Sequence, residues 1–300
     1  MSETTAKTER VACALCGADD TRPRHHKFGL DVVQCNRCTL VYANPRLTTE
    51  SLFQRYSDDY FWGEYLPELE IGRDGYVDPA RFAVHHYPLL HLFEMYHPPP
   101  GRLLEVGAAA GLFMKSAQSA GWEVQGVEPM AAAATFARDT FGLDVFTGTL
   151  ADAPFEPGSF DAAVMFETVE HLQDPIGVLR NVRRLLRQRG LLVMSTPNWE
   201  AFTRHALGEQ WAVISPAEHL YYFSEATLTA ALKQAGFSWV HYHRDFAPGA
   251  AETMNANYTH APGSLRHRLY STFVRTLGPA VFRSIRKRGL ADQLICVARV

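Results

Sequence analysis

Through the middle of the chain, short apolar runs alternate with amphipathic stretches, and the alternation predicts strands and helices in turn. Arg102-Leu-Leu-Glu-Val106 reads as a buried strand that runs into a small-residue turn, Gly107 to Gly111, and then a helix; a second strand ends at Glu128. Asp144 to Thr149 is the third strand, Phe160-Asp-Ala-Ala-Val-Met-Phe-Glu167 the fourth and Gly190 to Pro197 the fifth. Asp174-Pro175 opens a basic helix, and Ser224 precedes a helix ending at Gly236-Phe237. Strands six and seven fall at Ser238 to Arg244 and Gln293 to Arg299. Strand and helix in strict alternation is the pattern of an α/β, doubly wound parallel sheet.

On either side the pattern changes. Residues 1–10 form a polar, charged tail, and 11–45 carry paired cysteines, with Asn44-Pro45 marking the exit because proline disfavours helix at the preceding residue. Residues 46–97 are rich in aromatics, among them Tyr56, Tyr60, Phe61, Trp62 and Tyr65, and read either as a helical cap packed on the main domain or as a lid over a ligand, two roles that are compatible. Pro98-Pro-Pro100 starts the catalytic domain, 98–300. Inside it, 245–290 reads as a helical insertion: no acidic residue occurs from Met254 to Ala291, and Leu265, Leu269, Phe273 and Leu277 fall at helical spacing. An amphipathic helix with a solvated basic face is the plain reading; peripheral membrane contact or a phosphate-bearing substrate are the functional ones.

Composition narrows the classes. With 47% hydrophobic residues the chain can bury a substantial core, and Lys+Arg 29 against Asp+Glu 32, a net charge of -3, gives no general attraction to nucleic acid. No apolar signal core and no spanning run is seen, so a cytoplasmic setting is expected.

Four of the five cysteines form Cys13-x-x-Cys16 and Cys35-x-x-Cys38. Two such knuckles complete a tetrahedral thiolate site, for zinc ahead of iron, and four protein ligands leave no open position, so the role is structural. A segment of about 30 residues folds on metal binding and would sit as a small ribbon remote from any reaction. Cys296, left alone, reads as a packed apolar residue.

The glycine turn and the carboxylate that follows it carry the chemistry. Small residues let the backbone approach a ligand at a helix start, and Glu128, 21 residues after Gly107, can accept from a ribose diol. Adenosine fits, whether in a nicotinamide dinucleotide or in S-adenosylmethionine (SAM). The turn gives Glu105, Gly107, Ala109 and Gly111 against a (Glu/Asp)xGxGxG pattern, with alanine at the middle glycine. Asp152, after strand three, is placed to accept from the adenine amino group.

With Glu170-His171-Leu172 after strand four and Glu218-His-Leu-Tyr-Tyr-Phe-Ser224 before the last main helix, the chain resembles the class I SAM-dependent methyltransferases, from about Cys13 to Tyr242. More narrowly it is similar to the branch with an amino-terminal zinc ribbon that includes sugar C-methyltransferases. The resemblance implies a Rossmann-like seven-stranded sheet with an antiparallel seventh strand. It implies SAM contacts from Tyr60, Phe61, Glu105, Gly107, Ala109, Gly111, Glu128, Pro129, Asp152 and Glu167. It also implies that Glu218 and His219 supply the base and that His171 helps hold the substrate; Pro216 stands where a tyrosine is common. The expected function is methyl transfer to a small polar metabolite, a sugar or natural-product intermediate. Rivals are a nucleic-acid or protein methyltransferase, a nicotinamide-dependent reductase or epimerase, for which TyrxxxLys is missing, and a noncatalytic binding module.

Overall fold

The computed structural model describes residues 6–72, 89–93, 95–246, 272 and 278–300. Five parallel strands form the centre of its large sheet: Arg102–Val106 (β6), Glu123–Glu128 (β7), Asp144–Thr147 (β8), Phe160–Phe166 (β9) and Leu186–Pro197 (β10). Gln293–Arg299 (β13) adds antiparallel to β10, and Trp239–Tyr242 (β12) lies antiparallel on β13. The order is β12-β13-β10-β9-β6-β7-β8. Chain direction therefore turns outward on both sides of β6, and a crevice opens beyond its carboxyl end. β10 begins four residues before Gly190, because Leu186 already pairs with Phe160 ahead of a register shift.

Period-two alternation sends neighbouring strand residues to opposite faces. Leu104, Val106, Ala163, Met165, Leu192 and Met194 pack with Ile176, Leu179, Val182 and Leu228 of helices Pro175–Leu185 and Glu225–Ala235. Leu103, Ala162, Val164, Leu191 and Val193 pack on the other side with Phe113, Met114, Ala134 and Ala137 of helices Leu112–Ser119 and Ala131–Phe141. The helix starts follow from capping. Asp174 accepts from the Gly177 amide with Pro175 in the first turn, and Ser224 and Thr227 form a reciprocal capping box. Cys296 is wholly buried in β13, and burial pushes its thiol up to about 12.

The amino-terminal segment gives Thr21–Lys27 (β2), Leu30–Cys35 (β3) and Val41–Ala43 (β4) in an antiparallel sheet, and Arg46–Leu47 pairs with Thr8–Glu9. Here the structure departs from the expected free-standing ribbon. Tyr221–Tyr222 (β11), from the catalytic domain, pairs with β4 as the fourth strand of that sheet. A turn, the helix Thr49–Arg55 and a helical stretch over 58–68 follow, the last with a π-turn at Phe61–Tyr65. Phe61 and Leu66 seat this stretch on Ala110, Ala133 and Phe136, directly over the glycine turn.

Of the basic insertion, Leu265, Leu269, Phe273 and Leu277 lie outside the described residues; helix Gly278–Lys287 ends in Arg286 and Lys287. Among the described residues no helix is long and apolar enough to cross a membrane.

Candidate active site

The turn after β6 explains its own composition. Gly107 has φ +78°, and a β-carbon there would stand 2.7 Å from Thr168 Oγ1 and 2.9 Å from its methyl carbon; at Gly111, φ +76°, one would meet Leu143 and Ala137 at 2.7 and 2.8 Å. Neither position admits a side chain. Ala109, between them, is also left-handed at φ 46° and bears its β-carbon at a cost of about 1–2 kcal/mol. Its amide donates to Glu128 Oε2 at 2.9 Å, and the Met130 amide donates to Oε1 at 2.8 Å. Glu128 thus caps the crevice with one amide on each oxygen and a lone pair to spare on each. Burial raises its carboxyl above the usual range, and the two amides oppose that rise.

Glu105 is buried, and its Oε2 has no hydrogen-bond partner. Desolvation, with Glu128 nearby, holds its carboxyl well above the ordinary value. A buried acceptor without a donor costs about 1–3 kcal/mol, a penalty that a cationic ligand relieves. Pro129 and Asp152 are exposed on the rim, Asp152 accepting from the Thr149 hydroxyl at 2.6 Å. Glu167, left-handed at φ 46° and open to the crevice, accepts from the Ser195 hydroxyl at 2.7 Å. Tyr60 is partly exposed and edge-on to Tyr56, whereas the Phe61 ring is fully buried against Trp62, Tyr65 and Phe136. Tyr65, which sequence reasoning left out of the site, brings its phenol to the Ala110 amide beside Glu128 and Glu105, and burial raises it. The signal was weak: one tyrosine in an aromatic run.

The cysteines form two matching knuckles. The Gly17 amide donates to the Cys13 carbonyl and the Cys13 amide to Ala18; the Thr39 amide donates to the Cys35 carbonyl and the Cys35 amide to Leu40. Gly17 (φ 71°) and Thr39 (φ 66°) occupy equivalent left-handed positions. Sγ atoms lie 3.3 Å apart for Cys13 and Cys38 and 3.5 Å for Cys16 and Cys35, and all four fall within 4.8 Å. Thiolates around one zinc at ~2.3 Å stand ~3.8 Å apart, so the set fits such an ion. Burial raises the Cys35 thiol, but amides of Cys38 and Arg37 outweigh it and hold the group near 7.

Beyond β9 and β10 lies a second polar group. One ligand atom from each of Glu170, His171 and His219 falls within 4.8 Å of the others. His171 Nδ1 lies 3.0 Å from the Glu218 carbonyl and 3.0 Å from the Tyr56 hydroxyl; His219 Nδ1 lies 2.8 Å from the Val213 carbonyl. A carbonyl can only accept, so Nδ1 carries the proton in both rings and the lone pair is on Nε2. Desolvation, with His219 adjacent, lowers His171 to about 3, and desolvation lowers His219 too, so both rings are neutral at pH 7. Glu170 is buried, accepts from Thr196 at 3.0 Å through Oε2, and has no hydrogen bond at Oε1.

The Glu218 carboxylate hydrogen-bonds to other groups than the His219 ring, yet its charge still opposes the desolvation that lowers that imidazole. It forms an ion pair with Arg55, 163 residues away, and accepts from Ser215 at 3.2 Å. The carboxylate beside the imidazoles is instead Glu170, 3.9 Å from His171 Nε2. Backbone bonds join this group to the cysteine sheet: Leu220 donates to the Glu170 carbonyl and Ala43 to the Leu220 carbonyl, 2.8 and 2.9 Å.

A family model described as a methyltransferase domain matches residues 82–242. Among curated proteins the chain is similar to ubiquinone biosynthesis O-methyltransferase of Xanthomonas campestris pv. campestris (strain B100), 31% identical over 106 residues, 33% of this chain and 44% of that one. It is also similar to the protein of the same name from Ruegeria sp. (strain TM1040), 29% identical over 148 residues, 46% and 60% of the two chains. The chain thus spans about half the length of these curated relatives. Among solved structures, Haemonchus contortus phosphoethanolamine N-methyltransferase 2 in complex with S-adenosyl-L-methionine shares the fold. Its TM-score is 0.57 at 16% identity, covering 86% of this chain and 62% of that one.

Proposed function

We propose, from the premise that this chain belongs to the methyltransferase-domain family and carries a class I SAM-dependent methyltransferase domain, that it methylates a small polar metabolite with an ionisable group, of the sugar or natural-product class. One observation carries the acceptor side of this reading. Two neutral imidazoles and a buried carboxyl group, held well above the usual carboxylate range by desolvation and by Glu167, converge at the carboxyl edge of the sheet, beyond the strand next to the glycine turn.

Bound SAM supplies a methyl group already activated as a sulfonium. What is left to the protein is alignment, exclusion of water and removal of the acceptor's proton. Glu128 would hold the ribose hydroxyls with the lone pairs that Ala109 and Met130 leave free, and Glu105 would offset the cofactor's positive charge. Tyr60, Pro129, Asp152 and Glu167 would line the rim around it, with Phe61 seating the cap. His171 and His219, each with its tautomer fixed by a main-chain carbonyl, would receive the acceptor's proton-bearing group, His219 leading as the base that the resemblance implies. Glu218 would act indirectly, through its ion pair with Arg55 and its main-chain carbonyl on His171. The thiolates of Cys13, Cys16, Cys35 and Cys38 would bind structural zinc. The names of the curated relatives support an oxygen acceptor.

Calorimetric titration with S-adenosylhomocysteine tests the cofactor side. Glu128→Ala is expected to weaken binding more than tenfold, the scale of charge-assisted hydrogen bonds; preference for NADH would end the reading. On a panel of hydroxylated sugars and phenols, His219→Gln is expected to lower turnover while leaving S-adenosylhomocysteine affinity intact. Parallel loss of both would make His219 scaffolding.

A further inference from the structure

We infer that Glu170, His171 and His219 form a binding site for a first-row divalent transition cation, separate from the four-cysteine site. Three features point there. Each imidazole spends its Nδ1 proton on a main-chain carbonyl, Glu218 for His171 and Val213 for His219, which orients the ring and leaves Nε2 as its ligand atom. Histidines that ligate metals are held in this way, by a second hydrogen bond that fixes tautomer and ring plane. The third ligand, Glu170 Oε1, has no hydrogen bond although its side chain is only 1% exposed. Thr196 holds the other oxygen, so the carboxylate is oriented as well.

The chemistry of the donors selects the ion. Two imidazoles and a carboxylate suit zinc, iron, cobalt or manganese, whereas magnesium and calcium take oxygen ligands and water. Ligand atoms sharing one such ion at ~2.1 Å stand about 3.4 Å apart. His171 Nε2 and Glu170 Oε1 are 3.9 Å apart and the three residues offer ligand atoms within 4.8 Å of one another, so the set would close by roughly 0.5–1.4 Å around an ion.

Three protein ligands leave coordination positions open, as in a catalytic and not a structural site. What fills them rests on the reading above: an acceptor hydroxyl would bind through oxygen and lose its proton to solvent under the ion's field. The imidazoles would then be ligands, and the ion would take over the ionisation of the acceptor.

The test counts metal in the full-length protein and needs no acceptor. After equilibration with excess Co2+ and desalting, the wild type is expected to keep two equivalents, and Glu170→Gln and His219→Gln one each. The intense thiolate absorption of the cysteine site should persist in both variants. Titration with S-adenosylhomocysteine shows that each variant is folded and keeps the cofactor side separate. One equivalent in the wild type, or two in both folded variants, overturns the site. Failure of S-adenosylhomocysteine binding in the wild type would count against the methyltransferase reading alone.

Discussion

Ala109 and Thr39 each hold a β-carbon in a left-handed backbone conformation that glycine adopts freely, one in the glycine turn and one in the second cysteine knuckle, where the first knuckle has Gly17. Relieving them should stabilise the protein. Ala109→Gly and Thr39→Gly are each expected to add about 1 kcal/mol, the left-handed penalty less the extra entropy of an unfolded glycine. Urea unfolding measures it, and a loss of stability in either would mean that the methyl group or the threonine side chain packs more than it strains. The glycine pattern already marked position 109 as the odd one, since a single methyl is visible in a motif. Thr39 was not visible that way, because only the hydrogen bonds of the folded knuckles align it with Gly17.

Among the elements, the two-residue strand Tyr221–Tyr222 decides how the halves of the chain communicate. It pairs Tyr221 with Tyr42 and Tyr222 with Val41, two residues after His219 and six after Cys35. Arg46 braces the same junction, donating to the Gln173 carbonyl at 2.8 Å and to the Tyr221 hydroxyl at 3.0 Å. The cysteine knuckles are therefore coupled to the histidine group by main-chain bonds. A Cys16→Ser variant is expected to raise amide exchange in 38–44 and 219–223 together, by at least tenfold, and to leave 103–115 unchanged. Unaltered exchange in 219–223 would show that the segment holds without the ribbon. Sequence reading made the ribbon a remote knob, because a two-residue strand has no hydrophobic period to detect and its partner lies about 180 residues away.

At the scale of the molecule, the crevice beyond the glycine turn gathers buried carboxyl groups. Glu105 and Glu128 both have raised folded values. A carboxyl raised on folding contributes stability that is complete below its unfolded value and is lost as pH climbs through the folded one. The ligand-free protein should therefore lose thermal stability as pH rises above the ordinary carboxyl range, with Glu105 contributing beside the other buried carboxyls Glu128, Glu167 and Glu170. Glu105→Gln should flatten that slope, and a cationic SAM analogue should stabilise more at higher pH. An identical slope in the variant would place the titration elsewhere.

How much could be read in advance follows the range of the interactions. The strand, turn and helix from Arg102 to Ser119, Glu128 at the end of the next strand, and the paired cysteines are set by contacts between near neighbours, and such contacts leave spacing in the chain. The succession of strands and helices and the helix starts at Asp174 and Ser224 were legible for the same reason. Glu218 beside His219 in sequence suggested a pair, and its charge does reach that imidazole, but Arg55 takes the hydrogen bonds of the carboxylate while Glu170 joins the two imidazoles. Folding alone brings these groups together, because a contact across 163 residues imposes no period and no spacing on the residues that make it.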